Sequence, residues 1–206
     1  MLVYKDIKFT TKEFLSLIIT NLITGFAISI FDWGYETFSL RIGLINLFRA
    51  FFVSLAITTL SIILCKYLSS ILGMYLQVEF NTLASLIGFV FFYIFYGLIP
   101  IPGFFKLIFS SDEKIRFGQK RKMFLFSDSE KISLAYLYFV FILCFLWFLA
   151  FKDSYAVKLA LAHFFYVLPI PHVPGFYALI NGKKSVRNII LNYLILLIIF
   201  IVLLSI

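Results

Sequence analysis

Six long apolar runs occupy most of this chain and decide what it can fold into. They cover residues 14–31, 50–76, 83–101, 134–151, 155–170 and 189–206. A bilayer's hydrocarbon core takes about 20 apolar residues per crossing helix. Hydrophobic residues make up 63% of the 206, with 28 phenylalanines, and charged residues only 14%. A soluble domain carries about 25% charge, and one core of this size has no room for so much apolar surface. Disorder needs the opposite composition. A disulfide scaffold is excluded because the two cysteines, Cys65 and Cys144, both sit inside apolar runs. The expected fold is all-α: one polytopic transmembrane domain over 1–206, with about six helices.

Two runs depart from a simple crossing. The run 50–76 is too long for one span and contains Lys66, Ser69, Ser70 and Gly73. It is expected to tilt, kink or end in a short re-entrant piece. The run 155–170 is short and stops at a proline cluster. The first run follows Lys5, Lys8 and Lys12, but no small-x-small cleavage site follows it. It therefore reads as a membrane helix rather than a cleaved signal peptide.

The net charge of +8 reads as topology. Basic loops stay cytoplasmic, and no basic stretch is built like a nucleic-acid-binding module, so no nucleic-acid partner is expected. Six crossings put 12 Lys and Arg on one side, in the first loop, in 106–131 and between the last two runs. Five lie opposite: Lys5, Lys8, Lys12, Lys152 and Lys158. The basic loop 106–131 is then cytoplasmic and both termini lie outside. Attraction to anionic lipid headgroups is enough to explain that loop.

All five prolines fall in two short segments, Pro100-Ile101-Pro102-Gly103-Phe104 and Pro169-Ile170-Pro171-His172-Val173-Pro174-Gly175. Proline removes a backbone donor and turns the preceding residue away from the helix. Each segment either ends a helix at the interface or forms extended chain covered by protein. In the second case Pro100, Pro102 and Gly103, with His163, are candidates to line a pocket.

Residues 60–70, Leu-Ser-Ile-Ile-Leu-Cys-Lys-Tyr-Leu-Ser-Ser, continue to Val78-Glu79-Phe80. Together they resemble the HExxH helix and following turn of prokaryotic site-2-protease-type intramembrane metalloproteases. Lys131-Ile132-Ser133-Leu134-Ala135 is similar to the start of a later helix in that family. Leu168-Pro169-Ile170-Pro171, with Gly175 following, is similar to the run that brings in its third zinc ligand. The resemblance implies a six-helix cage around a cleft that accommodates membrane helices.

The departures from the family pattern bear on function. HExxH puts two histidines on one helix face for zinc, with the glutamate beside them as general base. Here Cys65, Lys66 and Ser69 stand at those three positions, and Pro174 stands at the aspartate position. Tyr136-Leu137-Tyr138-Phe139-Val140 replaces the family's Gly-Pro-x-x-Asn. Cys65 and His172 are two possible ligands where a catalytic zinc needs three. His163 makes a third only if its helix packs towards Cys65, and Lys66 opposes a cation beside it. No catalytic residue, metal or cofactor is expected. The positions Cys65, Lys66, Ser69, His172, Pro174 and Gly175 then mark a relic, non-catalytic cleft.

Lys66 is the most informative residue. At a helix centre lysine costs roughly 2.5–3.5 kcal/mol on insertion scales, so it either snorkels or finds a partner. Glu79 and the carbonyls of the proline segments are the candidates. A lone histidine such as His163 usually makes one hydrogen bond between helices. Small residues four apart, Gly25 and Ser29, Ser69 and Gly73, Ala84 and Gly88, Ala156 and Ala160, suit close helix packing or a homo-oligomer face.

The expected function is a non-catalytic, membrane-embedded homologue of the site-2 proteases. It would sit in a prokaryotic cell membrane and bind a transmembrane helix or peptide. The competing readings are a small transporter built on broken helices and an anchoring subunit of a membrane complex.

Overall fold

A bilayer offers the backbone no hydrogen bonds, so the apolar runs must satisfy their own N–H and C=O groups, and helices do this locally. The structure, a computed structural model, describes residues 8–34, 38–94, 101, 103–111, 121–164, 166, 195, 198 and 202. Its elements are α1 (Thr11–Ser29), α2 (Leu40–Ile71), β1 (Met74–Phe80), α3 (Thr82–Ile94), β2 (Phe105–Ser111), α4 (Arg121–Phe151) and α5 (Ser154–Phe164). Three helical stretches among the described residues are long and apolar enough to cross a membrane: Thr11–Asp32, Leu40–Ile71 and Lys131–Phe151. The chain is a membrane protein, mostly helical.

Thr10 starts α1 with a capping box. Its hydroxyl accepts from Glu13 N at 3.2 Å, and Glu13 Oε2 accepts from Thr10 N at 2.8 Å. The helix closes in a short 3₁₀ turn, Ile30–Asp32. Helix α2 has 32 residues and is about 48 Å long at 1.5 Å per residue, more than a hydrocarbon core. It begins ten residues before its apolar run, because Leu40–Arg49 continues the helix with a mixed polar and apolar surface.

Helices α1 and α2 run antiparallel, in contact along their length. Asn46 Nδ2 of α2 donates to Asp32 O at 2.7 Å near one end. Gly25 faces Phe51 in the middle, where an added Cβ would come within 3.0 Å of Phe51 Cα. Only a small residue lets the backbones approach so closely. Next to it Asn21 ties the pair. Its Nδ2 donates to Leu17 O at 2.8 Å, while its Oδ1 accepts from Ser54 Oγ and, at 2.9 Å, from Thr58 Oγ1. Other buried hydroxyls turn back on their own helix, Thr24 to Thr20 O and Ser61 to Ile57 O, both at 2.8 Å.

Gly73 ends α2 in the left-handed region, at φ 68°. Beyond it the pattern changes from helical to alternating: Met74, Leu76 and Val78 are buried, Tyr75 and Gln77 exposed. Strands β1 and β2 pair antiparallel, from Met74 with Ser111 to Phe80 with Phe105. This two-stranded sheet departs from the all-helical expectation. The last residues of run 50–76 lie in it, and the 106–131 segment opens as strand and closes as α4. Over the first part of run 83–101 the described helix, Thr82–Ile94, has 13 residues, about 20 Å. It buries Ala84, Ser85 and Gly88 and exposes Leu83, Leu86, Phe89 and Tyr93.

Helix α4 packs antiparallel on α2. Ile132 lies beside Cys65 near one end, and Asp153 beside Arg49 at the other. The chain then turns at Lys152, φ 51°, into α5, which packs back along α4. The small-residue pairs serve this interior: Ala84, Ala156 and Ala160 are fully buried, and Gly88 packs against Ile101 and Phe104. Of the first proline-rich segment Ile101, Gly103 and Phe104 are described, and the second, 169–175, falls outside the described residues. The run 189–206 does too, apart from Ile195, Ile198 and Val202, which are helical and exposed.

Asn21 is the polar hub of the α1–α2 contact. Bonds of this kind between membrane helices are worth about 0.6–1.7 kcal/mol. Asn21→Leu is expected to lower stability by about 1–2 kcal/mol, read by denaturation in mixed micelles. A variant as stable as the parent would deny Asn21 that role.

Candidate functional site

The site begins with the geometry of a single helical turn. Cys65 and Ser69 are four residues apart and share one face of α2, which looks at α4. Lys66 is rotated about 100° from Cys65 and looks towards α1 and β1. The two positions that the resemblance aligns with zinc ligands thus share a face, and the position it aligns with the base looks elsewhere.

Cys65 is fully buried, and its Sγ lies 3.9 Å from the Ile132 carbonyl. Ser69 is buried on the next turn, and Ser133 follows Ile132 on α4. Neither hydroxyl has a hydrogen-bond partner among the described residues. Cys65, Ser69 and Lys66, a thiol, a hydroxyl and an ammonium, do not by themselves make a zinc donor set. Among the described residues no group of three His, Cys, Asp or Glu side chains could hold a metal ion. His172, Pro174 and Gly175 lie outside the described residues, as do Pro100 and Pro102.

Lys66 does not pair with Glu79, and it does not snorkel. Its side chain is 8% exposed, and Nζ donates to Glu13 Oε1 at 2.6 Å and to the Lys8 carbonyl at 3.0 Å. The Phe9 ring covers it, 4.5 Å from Nζ to the centroid. Glu13 is 3% exposed and equally well met. Besides Lys66, Oε1 accepts Val78 N at 3.2 Å, and Oε2 accepts Thr10 N and, at 3.2 Å, Thr10 Oγ1. One carboxylate thus binds the start of α1, the end of α2 and the middle of β1.

Glu13 was not legible as a partner, being 53 residues from Lys66. The available signal was the Thr10-x-x-Glu13 capping box, which fixes the carboxylate at the helix start. Glu79 instead faces its cross-strand neighbour Lys106 at 2.8 Å, both partly exposed. The hydrogen bond from that ammonium holds the Glu79 carboxyl below its ordinary range.

His163 and Gly103 meet through Tyr166. The His163 Nδ1 lies 3.0 Å from Leu159 O, and Nε2 lies 3.1 Å from Tyr136 Oη on α4. A carbonyl only accepts, so Nδ1 carries the proton and Nε2 accepts from tyrosine. The Tyr166 ring stacks on His163 with centroids 4.9 Å apart, and its hydroxyl donates to Gly103 O at 2.7 Å. Gly103 N is held by Thr24 Oγ1 at 3.0 Å, and a Cβ there would come within 2.6 Å of Thr20 O. Phe104, Phe105 and Tyr136 fill the surroundings. His163 thus sits in an aromatic cluster, with its hydrogen-bond partners in α4 and α5 rather than in the Lys66–Glu13 pair.

An apolar groove of about 650 Å³ runs along α1 and α2, lined by residues including Phe9, Phe14, Phe52, Ala56 and Leu60. A second, of about 250 Å³, lies between α2 and α4 and shares Ala56 and Leu60. Set beside known proteins, the chain matches no family model, no curated protein and no solved structure.

Removing one partner of a buried ion pair leaves a charge unmet, which costs about 3–5 kcal/mol. Lys66→Met is expected to lose that much stability in detergent micelles, and adding Glu13→Gln should recover part of it. A double variant no more stable than Lys66→Met would show that the two charges do not answer each other.

Proposed function

We propose that this is a multi-pass, non-catalytic relative of the site-2-protease-type metalloproteases. It sits in a prokaryotic cell membrane and holds a transmembrane helix or peptide without cutting it. The observation that carries the reading is the fate of the HExxH positions. The base position is a lysine neutralised by Glu13, so it cannot activate water. The family resemblance is supported by the contact of Cys65 with Ile132, which joins two of the three segments that carry it.

In this reading α1, α2 and α4 cross the bilayer. The helix α3 between the two strands re-enters it from one side, and the apolar runs 155–170 and 189–206 complete about six membrane segments. No zinc or other cofactor takes part. The partner helix is held by dispersion and shape, because lipid tails are as apolar as the groove and burial alone drives little association. The grooves beside Ala56 and Leu60 offer it a concave, apolar seat. A transport path through Lys66 and His163 has no comparable support, since each residue is met by protein groups in a different cluster.

A photoreactive amino acid at Ala56 or Leu60 tests the binding role in native membranes. The expected product is a discrete protein adduct of defined mass, absent when the probe replaces the outward-facing Phe89 of α3. Lipid adducts alone at all three positions would overturn it.

A further inference from the structure

We infer that the N-terminus of the chain is cytoplasmic, on the same side of the membrane as the basic 106–131 segment, and that this end of the bundle faces the anionic cytoplasmic leaflet. The inference rests on reading α1, α2 and α4 as crossings and not on any bound partner.

Connectivity fixes the sides. Run 83–101, taken as a crossing, puts the N-terminal lysines opposite the basic segment. The sheet removes that crossing. Met74, just after α2, is the Cα partner of Ser111, and the strands between them run antiparallel. A chain that leaves beside Met74 and returns beside Ser111 comes back to the end of the bundle where it started. Only α1 and α2 then separate the N-terminus from the 106–131 segment, and two crossings restore the side.

Contacts along the helices agree. At one end Glu13 of α1 meets Lys66 of α2 and Val78 of β1, and Cys65 of α2 meets Ile132 of α4. At the other end Asp32, after α1, holds Lys158 at 2.7 Å, and Arg49 of α2 holds Asp153 at 3.4 Å. Helices α1 and α4 are therefore parallel to each other and antiparallel to α2.

The charges now sort differently. The end with Glu13 holds Lys8, Lys12, Lys66, Lys106, Arg121, Lys122 and Lys131 among the described residues. The end with Asp32 holds Arg41, Arg49, Lys152 and Lys158, two of them tied to aspartates. Lys and Arg set orientation, while Asp and Glu contribute little, so the richer end stays inside. The N-terminal lysines, which oppose the basic loop if run 83–101 crosses, now reinforce it. They face the negative surface potential of the inner leaflet, which attracts Lys and Arg near the surface.

Single cysteines test this without changing any charge. In a Cys65→Ala, Cys144→Ala background, Thr11→Cys and Tyr75→Cys report the basic end, and Phe38→Cys and Ser154→Cys the other; all four sites are exposed. A membrane-impermeant maleimide applied to spheroplasts should label the second pair, and the first pair only after permeabilisation. Labelling of Thr11→Cys and Tyr75→Cys from opposite sides would overturn the shared side, and a reversed pattern would overturn the orientation. A fluorescent protein fused ahead of Met1 of the unaltered chain checks the result independently of variant folding. Fluorescence is expected; a dark fusion, with alkaline phosphatase active at the same place, would overturn the inference.

Discussion

The carboxylate of Glu13 is the point at which the separate parts of this molecule are tied. Lys66 alone would weigh against a membrane helix by several kcal/mol. Paired at 2.6 Å and bonded to the Lys8 carbonyl, it becomes a fixed distance between α1 and α2. The same carboxylate holds Val78 N, so β1 is set against both helices. Buried ion pairs add little to stability over apolar packing, but they are costly to break. Their use here is registry: they specify which turn of α1 meets which turn of α2, where apolar surfaces alone slide.

The rest of the interior follows the same economy. Asn21, Ser54 and Thr58 satisfy one another at the middle of the α1–α2 contact. Thr24, Gly103 and Tyr166 form a chain from α1 through the residues before β2 to the end of α5. His163 and Tyr136 join α5 to α4. Each of these polar side chains links two elements, in surroundings that offer no hydrogen bonds of their own.

The sequence made the long helices legible, because a continuous apolar run beyond about 18 residues has few other readings. Lys66 was conspicuous for the same reason. Its partner was not, since an acidic residue at a helix start reads as a cap at the surface. The strands were hidden by composition: Met74, Leu76 and Val78 alternate with Tyr75, Gln77 and Glu79, yet the first of them continue an apolar run that began as helix. Alternation over seven residues is a weaker signal than the hydropathy of a 27-residue window. Around Cys65, Lys66 and Ser69 the residue types were legible, but which neighbours Cys65 and Lys66 meet, Ile132 and Glu13, needed coordinates.

On the proposed reading, Lys66 is a structural residue at the position of a general base, and no metal chemistry is carried out beside it. The most direct measurement is the zinc content of the purified protein, by atomic emission, together with cleavage of a membrane-helix substrate. The account predicts well under one zinc per chain and no cleavage. One zinc per chain, lost with proteolysis in Cys65→Ser, would contradict it.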